Sequence, residues 1–194
     1  MNIFQEGNPQ NIAQVLAGKD YRVALQQAIF KKYPDATLVD INLNIPGPIK
    51  NNRYLIKLFD YGIKQLEEIW QNKGYDYKLV KALNNDAGCE NFYVLRESSK
   101  VVKLSTILFE ENNKIGRLFD ADVLIKGKTA LSRQELEYSS RRCYLCNRPA
   151  KECARSRRHS VEEMQRYISS LYAKYVNRVT AKLDSQFLVD DPAD

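Results

Sequence analysis

The stretch Gly116–Val123, GRLFDADV, is the most informative part of the chain, because it places two carboxylates two residues apart within an otherwise apolar strand. Side chains of a strand alternate between its faces, so Phe119 and Ala121 enter a core while Asp120 and Asp122 stand together on the opposite face. Two nearby carboxylates repel each other unless a cation lies between them, and Mg²⁺ is commonly held by one or two carboxylates plus phosphate oxygens. The pattern predicts a magnesium-binding strand face, and an exposed face whose acids are merely solvated is the alternative.

Helices and further strands surround this stretch in the sequence. Apolar residues at helical spacing and capping residues predict helices over 11–33, 53–72, 98–111 and 160–183, and a short helix after the capping pair Ser132 and Glu135. Alternation predicts a strand over 37–45, and shorter strands are expected near 75–80 and 91–95. This order of elements permits an α+β fold with a small mixed sheet flanked by helices, which is the fold class that we expect.

Composition is that of one ordinary domain over residues 1–194, because 194 residues at 44% hydrophobic content can bury a sizeable core. No apolar run approaches the roughly 20 residues of a membrane span, and the polar start MNIFQEGN lacks the apolar segment of a signal peptide. We therefore expect no membrane association and a cytoplasmic location.

Positive charge is concentrated in one part of the chain. The formal net charge is +6, and the segment 141–159 alone holds seven basic residues and one acidic residue, so the rest of the chain is close to neutral. A basic segment of this kind indicates an anionic partner, which can be a nucleic acid, a polyphosphate ligand or an acidic protein surface. A merely solvated charge run normally mixes both signs along a helix.

Three of the four cysteines and the single histidine also lie in this segment, namely Cys143, Cys146, Cys153 and His159. These are the ligand types of a Cys₃His zinc site. Six residues separate the second and third thiols, however, whereas structural zinc sites usually combine two closely spaced pairs. We therefore expect free thiols and no stoichiometric zinc, with a zinc site as the alternative. A disulfide-redox role for Cys143 and Cys146 is not favoured, because a redox C-x-x-C motif lies between a strand and a helix, whereas this one follows a basic loop.

Several motifs in order resemble one known family, the apo-citrate lyase phosphoribosyl-dephospho-CoA transferases. The residues that carry the resemblance are GRLFDADV at 116–123, LSR at 131–133, RRCYLC at 141–146, Pro149 and Ala150, CARSRRH at 153–159, LNIPGPIK at 43–50, and, more loosely, Arg22 and Gln26. They extend over most of the chain. A series of motifs at family-like spacing is far more specific than D-x-D alone.

The resemblance implies a nucleotidyltransferase-like enzyme. Its donor would be triphosphoribosyl-dephospho-CoA and its acceptor a serine of the citrate lyase acyl carrier subunit, with pyrophosphate released. Asp120 and Asp122 would be the catalytic residues and would hold Mg²⁺, because phosphoryl transfer depends on positioning and on neutralising charge. The candidate substrate-binding residues, chosen because cationic side chains match phosphate oxygens, are Lys50, Arg117, Arg133, Arg155, Arg157, Arg158 and His159.

Two other functions fit part of the pattern. A nucleic-acid-binding module folded around zinc would explain the basic segment, but its aspartates would repel a nucleic-acid backbone. A nucleotidyltransferase acting on another hydroxyl would use the same carboxylate pair. Because of the aspartates, we expect no nucleic-acid partner.

Overall fold

The computed structural model describes residues 1–112 and 114–177 of the chain. Its centre is a four-stranded sheet in the order β2-β3-β1-β4, formed by β1 (Thr37–Leu43), β2 (Tyr77–Asn85), β3 (Gly88–Leu95) and β4 (Phe119–Leu124). All three strand pairs are antiparallel, so the fold class α+β is confirmed.

The prediction of a mixed sheet is wrong. Strands β2 and β3 are longer than the two short strands expected there, and only Asp86 and Ala87 separate them. A connection this short forces an antiparallel hairpin, because a parallel crossover needs a dozen or more residues. The other two pairings continue the alternation of strand direction across the sheet.

Within the described residues, five α-helices accompany the sheet: α1 (Ile12–Lys32), α2 (Arg53–Asn72), α3 (Ser99–Asn112), α4 (Ala150–Ser156) and α5 (Val161–Leu171). Helix α1 begins with a capping box between Asn11 and Gln14, and the predicted capping box between Ser160 and Glu163 is present at the start of α5. Helix α5 continues into a π-helical turn, Tyr172–Val176. The remainder of the helix predicted to reach Leu183 lies outside the described residues.

The two faces of the sheet are covered differently. On one face, side chains of β1, β3 and β4 pack against α2, α3 and the π-helical turn to form the main core. On the other face, α1 covers a smaller core that consists of Ile29, Leu38, Phe92 and Val94. Apolar cover on this second face therefore ends partway along the strands, and the part without apolar cover carries the acidic side chains. No helix among the described residues is long and apolar enough to cross a bilayer.

Strand β4 is held against the main core by its phenylalanine. The ring of Phe119 stacks on Phe59 of α2 at 5.7 Å and meets the edge of Phe109 of α3 at 5.2 Å, measured between ring centroids. Gly62 of α2 faces the same ring, and a Cβ atom built there would overlap it. The absence of a side chain at this position lets α2 approach β4.

We predict opposite effects for two glycine substitutions in helices. Gly62→Ala should lower the free energy of unfolding by about 1 to 3 kcal/mol, because the added methyl displaces Phe119. The control Gly18→Ala in α1 should raise it by roughly 0.5 to 1 kcal/mol, since an added Cβ there meets nothing closer than 3.8 Å. Urea denaturation of both variants measures this difference, and equal effects would contradict the close approach of α2 to β4.

Candidate active site

The register of the sheet gathers acidic side chains on the face that α1 covers. Asp122 of β4 lies opposite Asp40 of β1, and Asp120 lies opposite Asn42. On the other side of β1, Asn42 lies opposite Glu90 of β3. Directly opposed residues share a face and have Cβ atoms about 5 Å apart. As predicted, Asp120 and Asp122 point away from the main core, and the sheet adds Asp40 and Glu90 to them.

Helix α1 places polar side chains over the buried part of this acidic group. The Nε2 of Gln26 donates a hydrogen bond to Oδ2 of Asp40 at 2.7 Å, and Arg22 forms ion pairs with Asp40 and Glu90. Arg22, Gln26 and Ile29 follow one stripe of the helix, so its inner face changes from polar to apolar along its length. Burial, and then the neighbouring Glu90, raise the pKa of Asp40 to about 8.

The aspartates of β4 differ in exposure. The side chain of Asp120 is 52% exposed, whereas Asp122 is half-buried. Burial, and then repulsion by Asp120, raise the pKa of Asp122, while the ammonium of Lys103 on α3 opposes this rise. Repulsion between the two carboxylates contributes to this rise, so a cation bound between them would be stabilised by both.

The free edge of β4 is closed by side chains instead of a further strand. Lys103 donates from Nζ to the carbonyl oxygen of Ala121 at 3.1 Å, and the carboxylate of Glu110 accepts the Ala121 N–H at 3.4 Å. Arg141 donates to the carbonyl oxygen of Phe119 at 2.6 Å and lies 2.8 Å from Oε1 of Glu110. Glu110 is buried and also pairs with Arg133. One carboxylate thus connects the strand edge to two arginines.

A cleft of about 260 Å³ beside this edge is lined by arginines. Arg117, Arg133, Arg141 and Arg142 line it together with Glu110 and Glu111. Arg141 lies 3.7 Å from Asp120, so the cleft opens next to the exposed aspartate. Of the substrate-binding residues predicted from the sequence, Arg117 and Arg133 lie here.

Lys50 lies at a second cavity, between α1 and the sheet. This space of about 130 Å³ is also lined by Lys19, Arg22, Asn42 and Glu90. The ammonium of Lys50 donates to the carbonyl oxygen of Ile45 at 2.7 Å, and burial lowers its pKa. Since Asn42 is the cross-strand neighbour of Asp120, cationic cavities lie on both sides of that aspartate.

The remaining predicted residues lie in the basic segment. Arg155, Arg157 and Arg158 are exposed, and none of them has an ion-pair partner in the part of the chain that the structure describes. The ring of His159 points at thiols, with its Nε2 3.2 Å from the Sγ of Cys146. His159 is therefore engaged with the cysteines and is not directed at the aspartates.

Comparisons with known proteins give a consistent result. The family described as apo-citrate lyase phosphoribosyl-dephospho-CoA transferase, CitX, matches residues 10–175. A Streptococcus pyogenes protein named probable apo-citrate lyase phosphoribosyl-dephospho-CoA transferase is 35% identical over 178 residues, which cover 90% of this chain and 92% of that protein. An Escherichia coli protein with the same name, without "probable", is 32% identical over 161 residues, covering 83% and 87%.

This chain belongs to the CitX family. Protein CitXG of Leuconostoc mesenteroides is 33% identical over 167 residues, which cover 84% of this chain and 35% of that longer protein. All the motifs on which the resemblance rests lie inside the matched range 10–175, so the family predicted from the sequence is confirmed.

Sequence reasoning did not identify every residue of this CitX site. The sequence indicated that Asp40 points away from the main core, because it alternates with apolar residues in its strand. Its position opposite Asp122, however, depends on the pairing of β1 with β4. Nothing in the sequence marked Glu110 as a site residue, since an acid near the end of a helix is usually solvated. Its role depends on the docking of α3 along the strand edge, where Glu110 is 4% exposed.

We predict that Glu110→Gln lowers the free energy of unfolding by about 3 to 5 kcal/mol, because it leaves Arg133 and Arg141 without their buried partner. Glu111→Gln is the matched control. Glu111 also pairs with Arg133 but is 51% exposed, so its loss should cost at most about 1 kcal/mol. Thermal and urea unfolding measure both values, and similar losses in the two variants would contradict the role assigned to Glu110.

Proposed function

We propose that this chain transfers a phosphoribosyl-dephospho-CoA group from triphosphoribosyl-dephospho-CoA to a serine of the citrate lyase acyl carrier subunit, releasing pyrophosphate. The transferase activity toward apo-citrate lyase is that of the family and of the named relatives. The donor, the serine and the leaving group are our proposal. The observation that carries it is the aspartate pair of β4, which lies between two cavities lined with cations.

Asp120 and Asp122 are the proposed ligands of Mg²⁺. Their donor atoms are carboxylate oxygens, which suit a hard cation, and burial, followed by repulsion by Asp120, raises the pKa of Asp122. Two carboxylates leave most coordination positions of Mg²⁺ for water and for phosphate oxygens of the donor. When bound, the metal would neutralise charge on the phosphoryl oxygens under attack.

The protein's own cations would orient the donor around that position. The arginines of the cleft beside Asp120 offer planar donor groups that match phosphate oxygens in pairs. The ammonium of Lys50 and the guanidinium of Arg22 offer positive charge in the cavity on the other side of β1. A triphosphate extended across Asp120 would therefore have cations at both ends, and the pyrophosphate would depart toward one of them.

The exposed arginines of the basic segment are proposed as further donor contacts. Arg157 lines a cavity of about 470 Å³ together with Asn44, Pro46 and Met164, and most of its other lining residues are apolar. Such a cavity suits the uncharged parts of a dephospho-CoA group, and the arginine at its border suits the phosphates.

By analogy with nucleotidyltransferases, we propose a fold of that type, because paired aspartates lie on a strand flanked by helices. We propose that residues 1–194 act as one transferase domain, because both cores rest on one sheet. Four free cysteines fit a reducing compartment, which supports a cytoplasmic location. The family assignment does not favour a nucleic-acid-binding module or another hydroxyl acceptor.

We predict that the purified protein, incubated with Mg²⁺, triphosphoribosyl-dephospho-CoA and the apo carrier subunit, adds the mass of the prosthetic group to the carrier. Asp120→Asn and Asp122→Asn should each slow this transfer about 100-fold or more, while unfolding midpoints stay close to that of the unmodified protein. Intact mass spectrometry of the carrier over time measures the rates.

Asp20→Asn is the control for this pair, because Asp20 is an exposed acid on α1. It should leave the transfer rate unchanged. Near-normal rates in either variant of the pair at saturating Mg²⁺ would contradict the metal-binding role. No transfer by the unmodified protein, with folding intact, would contradict the proposed donor and acceptor.

A separate prediction concerns the basic segment. Arg157→Ala should lower kcat/KM for the donor by about 10 to 150-fold, the effect expected when a charged hydrogen bond to phosphate is lost. Lys151→Ala removes an exposed cation from the neighbouring helix α4 and should change kcat/KM by less than about twofold. If both variants stay within about twofold, Arg157 does not contact the donor.

A further inference from the structure

Cys143, Cys146, Cys153 and His159 form a group to which the proposed transfer assigns no chemical step. All of them except Cys146 line the cavity proposed for the dephospho-CoA group. One ligand atom from each side chain, three Sγ atoms and a ring nitrogen, lies within 4.8 Å of all the others. Among residues 1–112 and 114–177, this is the single group of three or more such side chains that converges in this way.

Three local structures bring these side chains together. The chain reverses direction between Arg142 and Pro149, where the Cys143 N–H bonds to the carbonyl oxygen of Arg148 at 2.8 Å. This turn presents Cys143 and Cys146 on one side. Helix α4 then supplies Cys153, and His159 follows immediately after that helix ends. Four ligand side chains from a turn, a helix and the segment that follows that helix thus meet at one point. Two cysteines that are merely neighbours in the sequence would not require such an arrangement.

The surroundings suit thiolates, because seven basic residues occupy the segment 141–159. Three thiolates around a divalent ion carry a net charge of about −1, which this segment would balance.

The distances are close to those of a tetrahedral zinc site. The Sγ of Cys146 lies 3.4 Å from the Sγ of Cys153 and 3.2 Å from the Nε2 of His159. Ligands of tetrahedral Zn²⁺, at Zn–S of about 2.3 Å and Zn–N of about 2.0 Å, are themselves roughly 3.5 to 3.8 Å apart. These two pairs need to open by only a few tenths of an ångström, and the most widely separated ligand atoms, which lie within 4.8 Å of each other, need to approach by up to about 1 Å to hold the ion. A separation of 3.4 Å is too long for a disulfide, whose S–S bond is about 2.05 Å.

The kinds of ligand select the metal and its role. Thiolates and imidazole are soft or borderline ligands that suit Zn²⁺ and not the Mg²⁺ proposed at the aspartates. Four protein ligands leave no open position for water or substrate, which is the arrangement of a structural site and not of a catalytic one.

We propose that Cys143, Cys146, Cys153 and His159 bind one structural Zn²⁺ ion that fixes the basic segment. This reverses the expectation from the sequence, which weighed the separation of the ligands along the chain and could not include the turn and helix that bring them together. The proposal does not depend on the identity of the donor or acceptor.

Fixing this segment has an effect on the cleft beside Asp120. Arg117 donates from Nη2 to the carbonyl oxygens of Arg142 and Cys143, at 2.8 and 3.0 Å. Arg141, just before the first cysteine, contacts Asp120 and Glu110. The metal would therefore hold in place the backbone on which two cleft arginines depend.

Metal analysis of protein purified without a histidine tag, after expression in zinc-supplemented medium, tests the proposal. We expect about one zinc per chain. Cys146→Ser should lose most of this zinc, whereas Cys89→Ser should keep it, because Cys89 is the one cysteine outside the group. Cobalt substituted for zinc should give the thiolate charge-transfer and visible bands of a tetrahedral site.

A second measurement on the unmodified protein covers the case in which Cys146→Ser does not fold. Trypsin cleaves after arginine and lysine, so the segment 141–159 offers many sites. Removing the metal with a chelator should speed cleavage within this segment several-fold, and returning zinc, but not Mg²⁺, should restore the protection.

Substoichiometric zinc after reconstitution in excess zinc, without the cobalt spectrum, would overturn the proposal. So would full zinc content in folded Cys146→Ser, or equal loss of zinc in Cys89→Ser. Since every readout is metal content, absorption or proteolysis, a failure here is distinguishable from a failure of the proposed transfer.

Discussion

The carboxylate of Glu110 fixes the strand on which the site is built. It accepts the backbone N–H of Ala121 and pairs with Arg133 and Arg141, while Lys103 satisfies the neighbouring carbonyl. Unpaired backbone groups at a buried strand edge are unfavourable, so β4 would be poorly held without these side chains. Their bonds let β4 be the last strand of the sheet, so that Asp120 lies next to the cleft that opens beside this strand.

Charge is arranged around these aspartates in two different ways. Toward α1, Asp40 and Glu90 are buried and contact Arg22 and Gln26, so side chains of the protein already occupy this part of the acidic face. Toward the cleft, Asp120 is exposed and its arginine neighbours line open space. Asp120 is the most exposed of these acids, which is why the proposed chemistry is placed next to it. The buried part supports it by holding α1 against the sheet.

Much of this arrangement could be predicted from the sequence where a local pattern decides the structure. The helix over 53–72 follows from its apolar spacing, and the outward position of Asp120 and Asp122 follows from strand alternation. The strand pairing could not be predicted, because alternation indicates a face and not a partner. The partnership of Asp40 with Asp122 was missed for that reason. For the cysteines, the local pattern was not a sufficient guide. Their spacing along the chain did not indicate that they meet, but the turn at 142–149 and helix α4 bring their side chains together.

The two edges of the sheet determine whether another protein can bind by adding a strand to it. The edge of β4 is occupied by side chains of α3 and by Arg141. The opposite edge is β2, where Lys78 and Lys81 are exposed, and lysines along an edge strand oppose the addition of another strand. Neither edge therefore favours a backbone-paired complex of the kind that dissociates slowly. A partner that meets this surface through side chains alone can leave after each encounter, as an enzyme acting on many copies of one protein substrate requires.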